Sequence, residues 1–356
     1  MVDFGHEIEN TSRRRLPTWL PNGLLRKVSF SIDGTVSIAL LPGDHPPRIL
    51  MLQTALSARY PLPGHAALRT RAVALCLEHL ASGLGDDNAE QRLCSAIDAV
   101  YWQQLSEVLL ADQLSKIGFQ PQHAATGPDF LIEHAGLRIW IEVICPEPMG
   151  IPGSWLQPVL GEVTNLPHEA MLLRWTAAIK EKSGKLIGTP ANPQGYFASN
   201  IVAADDIYVI AINGRLLRGG FSCLEGISQL PFAVEAVFSI GPYAIHIDRQ
   251  TLETAGQGHL HRPLIPKPNG AQVPADTFLD PRFAPISAIW AVDLDENIIL
   301  DRPCPMVVVH NPAASNPLPQ TLLPAFEEYI AVVEGDYYRL SRINGRMSAT
   351  TMPSHV

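Results

Sequence analysis

Residues 127–145, GPDFLIEHAGLRIWIEVIC, hold two strand-like runs, Asp129 to Glu133 and Leu137 to Cys145, on either side of Ala135-Gly136. Antiparallel partners share a constant index sum. A hairpin centred on Ala135-Gly136 therefore sets Asp129 opposite Glu142, Leu131 opposite Trp140 and Glu133 opposite Arg138. Phe130, Ile132, Ile139, Ile141 and Val143 then share the other face, so the register predicts one purely apolar face and one polar face. A two-residue or a four-residue loop gives this register and a three-residue loop breaks it, while Ala-Gly is not the preferred Asn-Gly turn.

Outward from the hairpin, Phe119 to Ala124 reads as a strand, so three strands come in succession. Before them runs a helical pattern from an N-cap at Asp86-Asp87-Asn88 to Gly118, long enough to ask for two helices or a kink, preceded by helical patterns at Ala66–Leu84 and Ile49–Tyr60. Near the start, Lys27–Ile32 and Thr35–Leu41 flank Asp33-Gly34, a hairpin signal. After the three strands, a Pro/Gly-rich loop from Pro146 to Pro167 leads to an amphipathic helix, His168–Ile187, with Leu172, Ile179 and Leu186 on one stripe. Asp206–Asn213 is an apolar strand of the buried kind. Tyr243–Asp248, Ser287–Val292 and Pro305–His310 are weaker strand candidates, and Leu322–Val333 reads as a final helix. The expected fold is α/β with a mixed central sheet and an N-terminal α+β region, divided into 1–98 (hairpin and helices) and 99–356 (α/β domain with a C-terminal extension).

Composition narrows the functional classes. Of 356 residues, 46% are hydrophobic and 17% charged, which excludes disorder across the chain. The longest apolar runs, such as Tyr208–Ile212 and Val36–Leu41, fall far short of the ~20 residues of a membrane span. The opening residues, MVDFGHE, lack the pattern of a cleaved signal, so a cytoplasmic address is expected. A net charge of −9 excludes a polycation that coats nucleic acid nonspecifically, so any such contact must be local. Arg13-Arg14-Arg15 with Arg26-Lys27 is either a solvated tail or a phosphate-contacting arm. Five scattered cysteines without C-x-x-C argue for reduced thiols and against structural zinc.

Asp129 and Glu142 facing each other on a mostly buried sheet repel unless a proton or cation stands between them. Carboxylates suit Mg²⁺ or Mn²⁺, hard ions that bind through one or two protein oxygens plus waters and substrate phosphate. Glu107, in line with Leu110, Leu114 and Ile117 on the preceding helix, offers a third acid.

Gly127-Pro128-Asp129, Ile141-Glu142-Val143, the helical Glu107 and the helix, three-strand, helix, strand order together resemble the PD-(D/E)xK, or restriction-endonuclease-like, nuclease superfamily over roughly Tyr101–Asn213. The resemblance implies an αβββαβ core, acidic ligands for Mg²⁺, and a lysine two places after the second acid that assists the attacking water. Here that place holds Ile144. Some members supply the lysine from the following helix, where this chain has Lys180, Lys182 and Lys185. Lys180 and Lys182 flank the apolar stripe and Lys185 lies on its far side; Lys182 is favoured because it shares a flank with Arg174, which suits a phosphate.

The expected activity is metal-dependent hydrolysis of phosphodiesters in nucleic acid, DNA more than RNA. Asp129, Glu142 and the Val143 carbonyl serve as metal ligands, Lys182 or Lys180 and Glu107 complete the catalytic set, and Arg174 holds substrate phosphate. A homodimer is compatible with this reading, and a membrane partner is not expected. The competing expectation is a noncatalytic binding or scaffold protein on the same core. His259-x-His261, Asp293-x-Asp295-Glu296, Asp205-Asp206 and His310 read as structural, and Cys145 points to the face opposite Glu142, which disfavours it as a nucleophile.

Overall fold

The structure is a computed structural model and describes residues 28–30, 36–38, 46–124, 126–219, 224–335 and 337–347. The chain divides into two compact units, Met1–Arg48 and Ile49–Val356. In the first, β1 (Val28–Phe30) and β2 (Val36–Ile38) pair antiparallel with Phe30 against Val36. The Asp33-Gly34 turn and the Arg13–Arg15 and Arg26-Lys27 clusters lie outside the described residues.

The helices that follow are α1 (Pro46–Arg59), α2 (Ala66–Ala81), α3 (Ala89–Leu93) and α4 (Asp98–Lys116). The long helical pattern breaks between Leu93 and Asp98, where Ser95 Oγ accepts the Ile97 amide at 3.1 Å and Arg59 donates to the Ser95 carbonyl at 3.0 Å. Serine's side chain competes there with the helical ladder. Leu52, Leu56, Leu68 and Val73 of α1 and α2 pack in the same core as the sheet residues Phe130, Ile139 and Trp290.

Next come β3 (Phe130–His134), β4 (Leu137–Ile144), α5 (Gly153–Leu156), α6 (His168–Ile187), β5 (Ile207–Asn213), α7 (Phe232–Phe238), β6 (Ile240–Ile247), β7 (Thr254–His261), β8 (Leu264–Pro266), β9 (Gln272–Pro274), β10 (Ala288–Val292), α8 (Glu296–Ile299), β11 (Met306–His310), β12 (Glu327–Glu334) and β13 (Tyr337–Asn344). Among the described residues, seven strands form one mixed sheet in the order β13-β12-β11-β10-β5-β4-β3. The pairs β4/β5, β5/β10 and β11/β12 are parallel and the others antiparallel. The result is an α/β fold in three layers, α4 on one face of the sheet and α6 on the other. No helix among the described residues is long and apolar enough to cross a membrane.

The β3/β4 hairpin has the predicted register, with Glu133 opposite Arg138 and Leu131 opposite Trp140. Ala135 and Gly136 both take positive φ, 49° and 80°, as a two-residue hairpin turn requires, and glycine meets that demand without steric cost. Three expectations are corrected. Phe119–Ala124 is not a strand: one isolated bridge, Gln122 to Leu131, is all that pairs there. Pro121, beside it, has no amide to extend a ladder. Leu322–Val333 is not a helix, because Glu327–Glu334 pairs with β11 and β13 as β12. Its alternation puts Tyr329 and Ala331 in the α6-side core and Glu328 on the other face, a period of two that a helical reading mistakes. Finally, the hairpin's second face is not polar. Trp140 and Ile144 on it are buried with Tyr208, Ile210 and the α6 residues Leu172, Trp175 and Ile179.

Candidate active site

The β3/β4 ladder ends at Phe130–Ile141, one pair short of Asp129 and Glu142. Beyond that point a side chain continues the connection, as Asp129 Oδ2 accepts the Val143 amide at 2.6 Å. Asp129 thus stands at the edge of the sheet, near carboxylates from both layers. Glu142 is 1% exposed and faces α6. Its Oε1 accepts Lys182 Nζ at 2.8 Å and Lys185 Nζ at 2.7 Å, and its Oε2 accepts the Tyr196 hydroxyl at 3.3 Å.

α6 brings the lysines there because its buried positions, Met171, Leu172, Trp175, Ala178, Ile179, Lys182 and Leu186, form one stripe that contains Lys182. Removing an ammonium from water is costly unless it is paired, and Glu142 pairs it. The chain after α6 folds back on its end: the Tyr196 amide donates to the Lys185 carbonyl at 2.8 Å. Gly195 permits the approach, since a Cβ there would stand 2.4 Å from the Leu186 carbonyl oxygen. Tyr196 also donates to the Gly127 carbonyl at 3.3 Å, tying the GPD turn to α6.

On the α4 side, Glu107 is held by two glutamines. Gln103 donates to its Oε1 at 3.1 Å and Gln104 to its Oε2 at 2.7 Å. Gln103 also grips β4, donating to the Val143 carbonyl at 3.3 Å and accepting the Cys145 amide at 2.9 Å. Gln104 in turn accepts Arg92 Nε at 2.7 Å, and Arg92 pairs with Asp86.

The charges are coupled. Burial and then the Glu142 charge push Asp129 up to about 6, against the opposing pull of Lys182, the Val143 amide and Lys185. Burial and then the Asp129 charge push Glu107 up to about 8. Burial acts to lower Lys185, but the Glu142 carboxylate outweighs it and holds the ammonium above the usual lysine range. Burial and the Glu142 charge raise Tyr196, so its hydroxyl remains a donor.

Asp129 links the two sides of the sheet: its charge is felt with those of Glu142 and Lys182 on the α6 side and by Glu107 on the α4 side, where Gln103 joins Glu107 to the Val143 carbonyl. Lys180 is exposed and makes no hydrogen bond to these acids among the described residues. Arg174 stands eight residues before Lys182, about 12 Å along the helix axis, half-buried with an Nε that has no hydrogen-bond partner. Lys185, read from the sequence as lying on the far side of the stripe, reaches Glu142, because it is only about 60° around the helix from Lys182 and its stem is long. Gln103, Gln104 and Tyr196 were not anticipated. The glutamines carried a signal, their i−4 and i−3 spacing to Glu107, whereas nothing local points to a tyrosine delivered by a loop.

The remaining candidates are engaged elsewhere. Burial pushes the Cys145 thiol up to about 12. His310 pairs with Glu328 at 2.8 Å, and His168 with Glu235 at 2.5 Å. Asp293 and Asp295 clamp Arg218, each at 2.7 Å. Asp206 accepts Trp140 Nε1 at 2.8 Å. His259 meets the Ser228 carbonyl at 3.1 Å.

No family model, curated protein or solved structure matches this chain.

Proposed function

We propose that the chain is a metal-dependent nuclease hydrolysing phosphodiester bonds of nucleic acid, DNA rather than RNA, in the cytoplasm, on a restriction-endonuclease-like core. The observation that carries this reading is Lys182, 5% exposed, reaching Glu142 at 2.8 Å from the helix that follows the hairpin. It stands in for the lysine that the resemblance places two residues after the second acid, where this chain has Ile144 packed in the core.

The donor set suits a hard divalent ion. Among the described residues no group of three or more His, Cys, Asp or Glu side chains is arranged to hold a metal ion. Mg²⁺ asks for less, one or two carboxylates with waters and phosphate filling the rest. Beyond burial, the Glu142 charge pushes Asp129 up and the Asp129 charge pushes Glu107 up, and an added cation relieves both. Asp129, Glu142 and the Val143 carbonyl would hold the ion. When bound, Mg²⁺ or Mn²⁺ would lower the pKa of a coordinated water and offset charge on the phosphorane-like transition state.

The chain's own groups supply the rest. Lys182 donates to the attacking water from a fixed, buried position. Tyr196 and the Val143 amide hold Glu142 and Asp129 in place. Glu107, gripped by two glutamines, accepts or returns a proton. Arg174 is left for a phosphate farther along the strand.

One observation favours a second reading: Glu142 already carries two ammoniums, as in a structural ion pair of a noncatalytic binding protein. Incubating the purified full chain with Mg²⁺ or Mn²⁺ and mixed DNA and RNA separates the two. Cleavage that Asp129→Ala reduces at least ~10²-fold supports the nuclease; metal binding without cleavage supports the binding protein and overturns the nuclease.

A further inference from the structure

Lys182 and Lys185 donate to the same atom, Glu142 Oε1, at 2.8 and 2.7 Å. A single ion pair needs one ammonium, and here there are two. They differ in setting: the Lys182 side chain is 7% exposed and that of Lys185 44%. Lys182 is fixed by the packing of α6, whereas Lys185 reaches in from the surface.

The oxygens sort accordingly. Oε1 of Glu142 is committed to lysines and Oδ2 of Asp129 to the Val143 amide. Among the described residues, that leaves Asp129 Oδ1 and Glu142 Oε2, the latter touched by Tyr196 at 3.3 Å. Two oxygens with waters suffice for one hard ion. A two-ion site places its ions ~3.5–4 Å apart. With Oε2 given to one ion, Oε1 is the Glu142 oxygen left for another.

We propose that the Lys185 ammonium takes the place of a second cation, so that the site is built for one divalent ion. This rests on the metal-dependent reading above.

The test is the number of Mn²⁺ ions bound by the metal-free full chain, counted by the free-ion paramagnetic resonance signal and by calorimetry, with no substrate present. Wild type and Lys185→Arg bind one ion, and the neutral variants Lys185→Gln and Lys185→Met bind two, a doubling. Two ions on wild type, one ion on both neutral variants, loss of the first ion from both, or equal stoichiometry in the arginine and neutral variants overturns the proposal. No ion on wild type removes the metal reading and this inference together. Two ions on wild type with cleavage sensitive to Asp129→Ala removes this inference alone.

Discussion

Replacing Glu107 by glutamine changes how the metal-free protein's stability depends on pH. The folded chain holds the Glu107 proton up to about 8, through burial and the Asp129 charge, against an ordinary value of 4.5. A raised carboxyl contributes stability that is fully present below about 4.5 and is lost as pH rises through about 8, because the folded state binds the extra proton in between. At ~1.4 kcal/mol per pH unit the ceiling on that loss is about 5 kcal/mol. Glu107 and Asp129 titrate as a pair and the site relaxes, so about 2–3 kcal/mol is expected. The glutamine side chain of the Glu107→Gln variant resembles the protonated acid and lacks this dependence on pH. It also gives one of the two glutamine neighbours a donor to face, an offset that does not vary with pH. In chelator, wild type should therefore lose stability relative to Glu107→Gln between pH 5 and pH 9, by roughly 5 °C in Tm for a chain of this size. Thermal melts of both proteins at matched pH read the difference directly. A difference constant across that range, or one that grows in favour of wild type, refutes the raised Glu107 carboxyl.

Glu142→Ala leaves Lys182 buried without its partner and should cost about 3–5 kcal/mol, whereas Glu142→Leu with Lys182→Met should cost far less, as urea titrations in a double-mutant cycle would read; an additive cycle would show that the pair is not coupled. Ala135→Asn converts the hairpin turn to Asn-Gly at a residue with φ 49° and should raise urea-derived stability by about 0.5 kcal/mol, and a loss would mean that the turn backbone is not as described.

Much of the site was legible because its two parts obey local rules. The index sum of a hairpin needs only the turn and the two apolar runs, so the pairing from Phe130–Ile141 to His134–Leu137 could be read from 127–145, whereas Asp129, one step beyond the ladder, holds the Val143 amide instead. Helix periodicity marked α6 from His168 to Ile187 and set Lys180 and Lys182 alike beside the apolar stripe; of the two, Lys182 is buried. What escaped depends on contacts between distant segments. The second face of the hairpin holds Glu133 and Arg138 at its open end but Trp140 and Ile144 deeper in, and only the arrival of α6 makes the inner half core. Glu327–Glu334 joins β11 across an intervening loop, which no local pattern announces. Tyr196 reaches Glu142 because a loop rich in Gly and Pro turns back on α6. At position 144, where the resemblance implies a lysine, the structure packs Ile144 against α6, and the lysine that meets Glu142 comes from α6 itself, a contact set by tertiary packing.

The Asp129 carboxylate holds the Val143 amide where the β3/β4 ladder has already ended. That amide is therefore a built-in reporter. Its exchange with deuterated solvent is gated by departure of the Asp129 side chain, so a single backbone proton, far smaller than any substrate, records how often the acid edge of the sheet opens.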